Sequence, residues 1–185
     1  MGKFLAGLIV GVVLFPVVIL IYLMLGLAPA AATAPPMPFE RFIAGTALNK
    51  RISREAPKRE LSSFTDQDIA EGADVYKKNC AMCHGLPPQA APAFAKSMFP
   101  QAPQLLTPEG WVIDDPVGVT YWKVQNGIRL SGMPSFGSIL NERQRWDVSA
   151  LLARANALTP GEQENLKPNA QDVIPPKPSG PVEKK

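Results

Sequence analysis

Three features of the sequence predict an all-α protein. The run from Phe4 to Leu27 is apolar, carries no charge and is far longer than any ordinary strand. Thr65, and Asn141 with Gln144 three residues on, have the residue types that cap helices, and both precede stretches with apolar residues at helical spacing. No segment alternates apolar and polar residues as a half-buried strand would. Averages conceal this layout. The chain has 185 residues, 46% of them hydrophobic, and a net charge of +3, so at first sight it is an ordinary globular protein. Two cysteines allow at most one disulfide, which excludes a disulfide-stapled scaffold. The slight basicity is no signature of nucleic-acid binding.

The first element is the 24-residue apolar run at 4–27. As a helix it would span roughly 36 Å, enough to cross a ~30 Å hydrocarbon core with some tilt. Pro16 is compatible with a membrane helix. Lys3 and the amino terminus precede it, which places the N-terminus in the cytoplasm and the rest of the chain outside. Residues 1–27 are therefore expected to be a transmembrane anchor in contact with lipid. The alternative is a signal peptide, since Ala28, Ala30, Ala32 and Ala34 supply small-residue cleavage triplets. The length of the run and Pro35 favour the anchor.

Residues 28–62 read as a basic linker that begins rich in Ala and Pro. Within it, Phe39, Phe42, Ile43, Ala47 and Leu48 have loosely helical spacing, which suits a short surface helix, a fluctuating tether or a strap against a partner subunit. The chain's positive excess lies here, beside the expected membrane, while residues 63–158 carry −1. From Thr159 to Lys185 repeated prolines without apolar periodicity predict a disordered tail.

Residues 63–158 form the globular segment. Thr65 should cap a helix through Ile69, Val75 and Tyr76, with Asp66 and Asp68 in its first turn. Asp115 followed by Pro116 reads as an N-cap with proline at the first helical position, and Gly127 as the stop of that helix. A further helix should follow Asn141 and carry Trp146, Ser149, Ala150 and Ala153. The proline-rich stretch between Gly85 and Asp115 reads as loops.

Cys80-Ala81-Met82-Cys83-His84 carries the chemistry. C-x-x-C-H is the attachment signature of c-type haem. Two thiols three positions apart can reach the two vinyl groups of one porphyrin, and the adjacent histidine can ligate the iron. A zinc site would use up every Cys and His in the chain and still lack a fourth ligand. A thioredoxin-like dithiol would need a βαβ setting that is missing here. With a single histidine, a sixth ligand would be methionine. Met133, in Ser131-Gly132-Met133-Pro134, is the first candidate, Met98 the second, and an open iron site the third reading.

Residues from about 65 to 158 resemble the class I cytochrome c domains of membrane-anchored monohaem cytochromes in bacterial respiratory chains. Gly72 and Tyr76 before the motif are similar to that family's first helix, and Trp146 to the aromatic that packs where Gly72 leaves room. Pro103-Gln104-Leu105 is similar to the element whose proline carbonyl accepts the proximal histidine Nδ1–H, and Gly132-Met133-Pro134 to the distal-ligand loop. The long loop from Leu86 to Ala102 departs from the pattern. The resemblance implies three to five short helices around one covalent haem c held by Cys80, Cys83, His84 and Met133, with Pro103 orienting His84. Trp111, Tyr121, Trp122 and Arg129 are candidates to line the ring or bond its propionates, against the plainer reading of core aromatics and a surface arginine.

The expected function is single-electron transfer between redox protein partners on the periplasmic side of a bacterial inner membrane, without a catalytic residue, a small-molecule substrate or a nucleic-acid partner. The alternatives are a fixed haem subunit of a quinol-oxidising, dehydrogenase or oxidase complex, a haem sensor or peroxidase with an open iron, and a haem-free interaction module.

Overall fold

A computed structural model describes residues 1–86, 91–107 and 115–167. Among these the chain is all-α, with eight helices and no strand. Met1–Ala44 forms one compact unit, and a second begins at Gly45.

In the first unit, α1 (Gly2–Met24) is continuous through Pro16, and none of its residues is buried by protein. Its mean hydropathy of 3.0 and 23 residues are those of a candidate membrane span or signal. The second helix, α2 (Glu40–Glu55), is longer than the loose spacing suggested, and Ile52 near its end is buried. The second unit thus reaches back into the stretch that the sequence presents as linker.

That unit is built on α3 (Asp66–Asn79), α6 (Val117–Asn126) and α7 (Glu142–Ala153). Thr65 Oγ1 accepts from Asp68 N at 3.2 Å while the Asp68 carboxylate accepts from Thr65 N at 2.8 Å. Asn141 and Gln144 form the same reciprocal pair at the start of α7. Each box satisfies two backbone donors that a helix start leaves open. Gly127, at φ 68, ends α6.

α3 packs on α7, and α7 on α6. Any Cβ at Gly72 would collide with the Asp147 carbonyl, so this glycine lets the two backbones touch. It is α7's backbone, rather than the Trp146 ring, that occupies the space. Trp146 instead stacks on Tyr121 of α6, with centroids 4.0 Å apart, and meets Phe64 at 6.1 Å. Ile69, Tyr76, Val148, Ser149 and Leu151 are the largest fully buried side chains.

Three local differences from the sequence expectation have physical reasons. α6 starts one residue later than expected, with Pro116 as its N-cap, and the Asp115 carboxylate pairs with Lys123 Nζ at 2.7 Å instead of capping. A one-turn helix, α5 (Ala93–Lys96), interrupts the expected loop and buries Ala95. The expected tail opens with α8 (Pro160–Asn165), capped by Thr159 and Glu162 and followed by buried Leu166. Glu162 also lies 3.5 Å from Arg154, which itself bonds Asp66 at 2.9 Å. Residues 168–185 of that tail lie outside the described residues.

Candidate cofactor site

The motif sits where one helix stops and another begins at once. Cys80 is the C-cap of α3 and the N-cap of the single-turn α4 (Ala81–His84). Its carbonyl accepts from both Cys83 N and His84 N, at 3.0 and 2.9 Å, which places two thiols and an imidazole on one tight turn. Gly85, at φ 78, ends α4 in a conformation that favours glycine. The buried Tyr76 hydroxyl donates to the Gly85 carbonyl at 2.8 Å and fastens this turn to α3. Burial pushes the Tyr76 phenol well above its usual range, so the hydroxyl stays a donor.

His84 Nδ1 lies 2.7 Å from the Pro103 carbonyl. A carbonyl can only accept, so Nδ1 carries the proton and the Nε2 lone pair is left for a ligand. Burial lowers the His84 pKa, partly countered by this bond, and favours the neutral imidazole that metals bind. The orienting carbonyl reaches the histidine across 19 residues of chain.

Cys80 and Cys83 are both free thiols. Burial, then the neighbouring Cys83, pushes the Cys80 thiol up to about 12. A dithiol redox centre works through a lowered thiol pKa, so this site has the opposite character. Among the described residues no three His, Cys, Asp or Glu side chains converge as metal ligands. The donor set fits a c-type haem: two unpaired thiols for thioether bonds and one neutral imidazole with a free Nε2.

The Met133 loop is stitched to the end of α6. Phe136 N donates to the Val124 carbonyl at 3.0 Å, and Gly137 N and Ser135 Oγ donate to the Gln125 carbonyl at 3.1 and 2.6 Å. These are carbonyls that a helix end leaves without intrahelical partners. Met133 N donates to Ser131 Oγ at 3.1 Å, and its carbonyl accepts from Ile128 N at 3.2 Å. The loop passes so close over Gly127 that a Cβ there would lie 2.7 Å from Pro134 C. Met133 is partly buried against the core. The Met98 thioether lies beside the next residue, since a Cβ on Gly132 would come within 2.8 Å of its sulfur. Both candidate thioethers therefore belong to one neighbourhood, which their spacing in sequence does not reveal.

The remaining candidates divide. Tyr121 is buried against Trp146 and takes a weak 3.5 Å bond from Arg145, so it serves the core. Trp122 directs its indole N–H to Glu55 at the end of α2, at 3.1 Å. Arg129 is exposed. Trp111 lies outside the described residues. Sequence reasoning missed the Tyr76–Gly85 clasp, and it missed Arg145, whose guanidinium bonds the Leu140 and Gly137 carbonyls.

Residues 67–152 match the family model described as cytochrome c oxidase, cbb3-type, subunit III. The match starts inside α3 and ends inside α7, so α2 and α8 fall outside it. No curated protein and no solved structure matches the chain.

Proposed function

Since residues 67–152 are a cbb3-type cytochrome c domain, and thus a class I cytochrome c domain, we propose that the chain is a membrane-anchored, exported monohaem cytochrome c. It passes single electrons between redox proteins on the periplasmic side of a bacterial inner membrane. One observation carries this reading: His84 is held in its ligand-ready tautomer by Pro103, one residue from Cys83 and on the same turn as Cys80. Cys80 and Cys83 hold the porphyrin, and His84 and Met133 ligate the iron. When bound, the haem supplies reversible one-electron iron chemistry. The chain fixes the proximal imidazole through the Pro103 carbonyl and the distal thioether through the loop bonded to α6. It also keeps water from the ring with its packed helices. No side chain acts as acid, base or nucleophile.

Ferric haem with methionine sulfur on iron has a weak near-infrared charge-transfer band. The oxidised protein is expected to show it, and Met133→Ala to lose it while keeping covalent haem on a denaturing gel. Persistence of the band in that variant would remove Met133 as the ligand and point to Met98.

A second reading, a fixed haem subunit of an oxidase complex, is favoured by two observations. The matching family is described as an oxidase subunit. With the end of α2 built into the domain, only residues 25–39 separate α1 from α2. As a coil, such a tether reaches roughly 20 Å, short for a roaming carrier. Stoichiometric co-purification with a larger complex in mild detergent selects this reading, and release as a single chain selects the shuttle.

A further inference from the structure

The two sides of α2 differ in character. Ile52 is buried and Glu55 receives the Trp122 indole, so one side of its C-terminal half is committed to the folded unit. Ile43, Lys50 and Arg54 stand at helical spacings of seven and four and share another stripe, flanked by Phe42. Ile52 lies roughly 160° around the helix from Lys50. Just before and within the first turn, Phe39, Phe42 and Ile43 are 75%, 71% and 64% exposed. Lys50 and Arg54 are exposed too and form no ion pair among the described residues, whereas Arg51 is paired with Glu55 at 2.7 Å.

Two aromatics and an isoleucine in water are costly, and removing them from it is favourable. A stripe that passes from such residues to unpaired cations suits the boundary of an anionic bilayer, with apolar groups among the upper acyl chains and cations at phosphate level. The surface is tied to one: residues 25–39 join it to α1, a span of at most roughly 50 Å fully extended. An electrically neutral protein groove would match the phenylalanines but not the cations.

We propose that Phe39 and the Phe42, Ile43, Lys50 and Arg54 face of α2 lie in the headgroup layer of the anionic membrane that holds α1. It is a second lipid contact that fixes how the domain is carried. This rests on α1 being a retained anchor, so the test reports on the two separately.

Full-length holoprotein is placed in phosphatidylcholine nanodiscs with or without phosphatidylglycerol, with nitroxide-lipid quenchers present. A polarity-sensitive fluorophore is attached at Phe42→Cys, at Leu14→Cys within α1, or at Asp74→Cys on the exposed side of α3 as the aqueous control. With anionic lipid, the probe at 42 is expected to be quenched by headgroup-proximal nitroxide, and the probe at 74 is not. Lys50→Gln and Arg54→Gln should each lower the ratio of lipid-bound to free α2 roughly fivefold. A quenched probe at 14 with a water-exposed probe at 42 in both lipids overturns the proposal and leaves the anchor standing. An unquenched probe at 14 overturns the anchor and the proposal with it. Shielding at 42 in native membranes but not in pure lipid assigns the face to a protein partner and also overturns the lipid contact.

Discussion

The domain is closed by two buried glycine seams of the same design, whose neighbouring acids have opposite surroundings. At Gly72 the backbone of α3 meets the Asp147 carbonyl of α7, and at Gly118 the backbone of α6 meets the Pro57 carbonyl just after α2. The first is buried between the two helices that carry the core, and its acid, Asp147, has a side chain 3% exposed. Burial, followed by the charge of Asp68, pushes that carboxyl up to about 6. At the second, Gly118 is also buried, but its acid, Glu55, is exposed and is held below the usual carboxylate range by the Trp122 N–H. One seam tolerates a charge at some cost and the other uses one. A close backbone approach therefore says that two elements are joined, while the protonation behaviour of its acid says only where that carboxylate sits.

The largest effect is expected where the seam between α3 and α7 is broken. Gly72→Ala forces α3 and α7 apart and should destabilise the holoprotein by about 3 kcal/mol, read from denaturant unfolding by circular dichroism. An unchanged midpoint would show that the approach is not limiting. At the other seam, Gly118→Ala gains helix propensity but must displace Pro57, with whose carbonyl oxygen a Cβ would collide, for a net loss of about 2 kcal/mol. Its clearer mark is faster tryptic cleavage at Lys58 and Arg59 with the core still folded; equal cleavage in the two proteins would deny the seam.

The smallest effect sharpens the contrast in charge. Asp147 has its pKa raised in the folded state, so that state binds more protons than the unfolded chain between about 4 and 6. Stability from this group is full below the unfolded pKa and is lost as pH rises through about 6. Arg143, 3.7 Å away, returns part of the loss. Asp147→Asn should thus raise stability by about 1 kcal/mol at pH 7.5 and leave it unchanged near pH 3.5, measured as the difference between paired unfolding curves. A loss at pH 7.5 would mean that attraction to Arg143 outweighs the cost of burying the carboxylate.

Local signals were legible in the sequence. The caps at Thr65 and Asn141, the stop at Gly127 and the continuous α1 all follow from the chemistry of a few adjacent residues. The same chemistry was present at Thr159, Pro160 and Glu162, but the surrounding prolines masked a helix whose partner, Arg154, stands at the end of α7. The Cys80-to-His84 turn is equally local. Contacts across long stretches of chain were not readable from spacing. Met98 beside Gly132, Glu55 on Trp122 and Pro57 against Gly118 join residues whose types suggest no partner. The Pro103 contact with His84 came to view only through a family resemblance. Asp115 shows how a correct residue type can mislead, because a lysine two turns on took the carboxylate from its cap.

The burial of Cys80 bears on the order of biogenesis. In the finished fold Cys80 belongs to the core that α6 and α7 help to complete, yet the thioether bond of the proposed haem would require its sulfur to meet an outside reactant. Under the proposed function the chain is exported from its amino end, which brings the Cys80–His84 turn across before Trp146, Val148 and Leu151. The interval before α7 arrives is when this thiol is open to modification. Slowing α7's docking should lengthen that interval, and a maturation defect in this protein would then originate in a helix that bears none of the attachment residues.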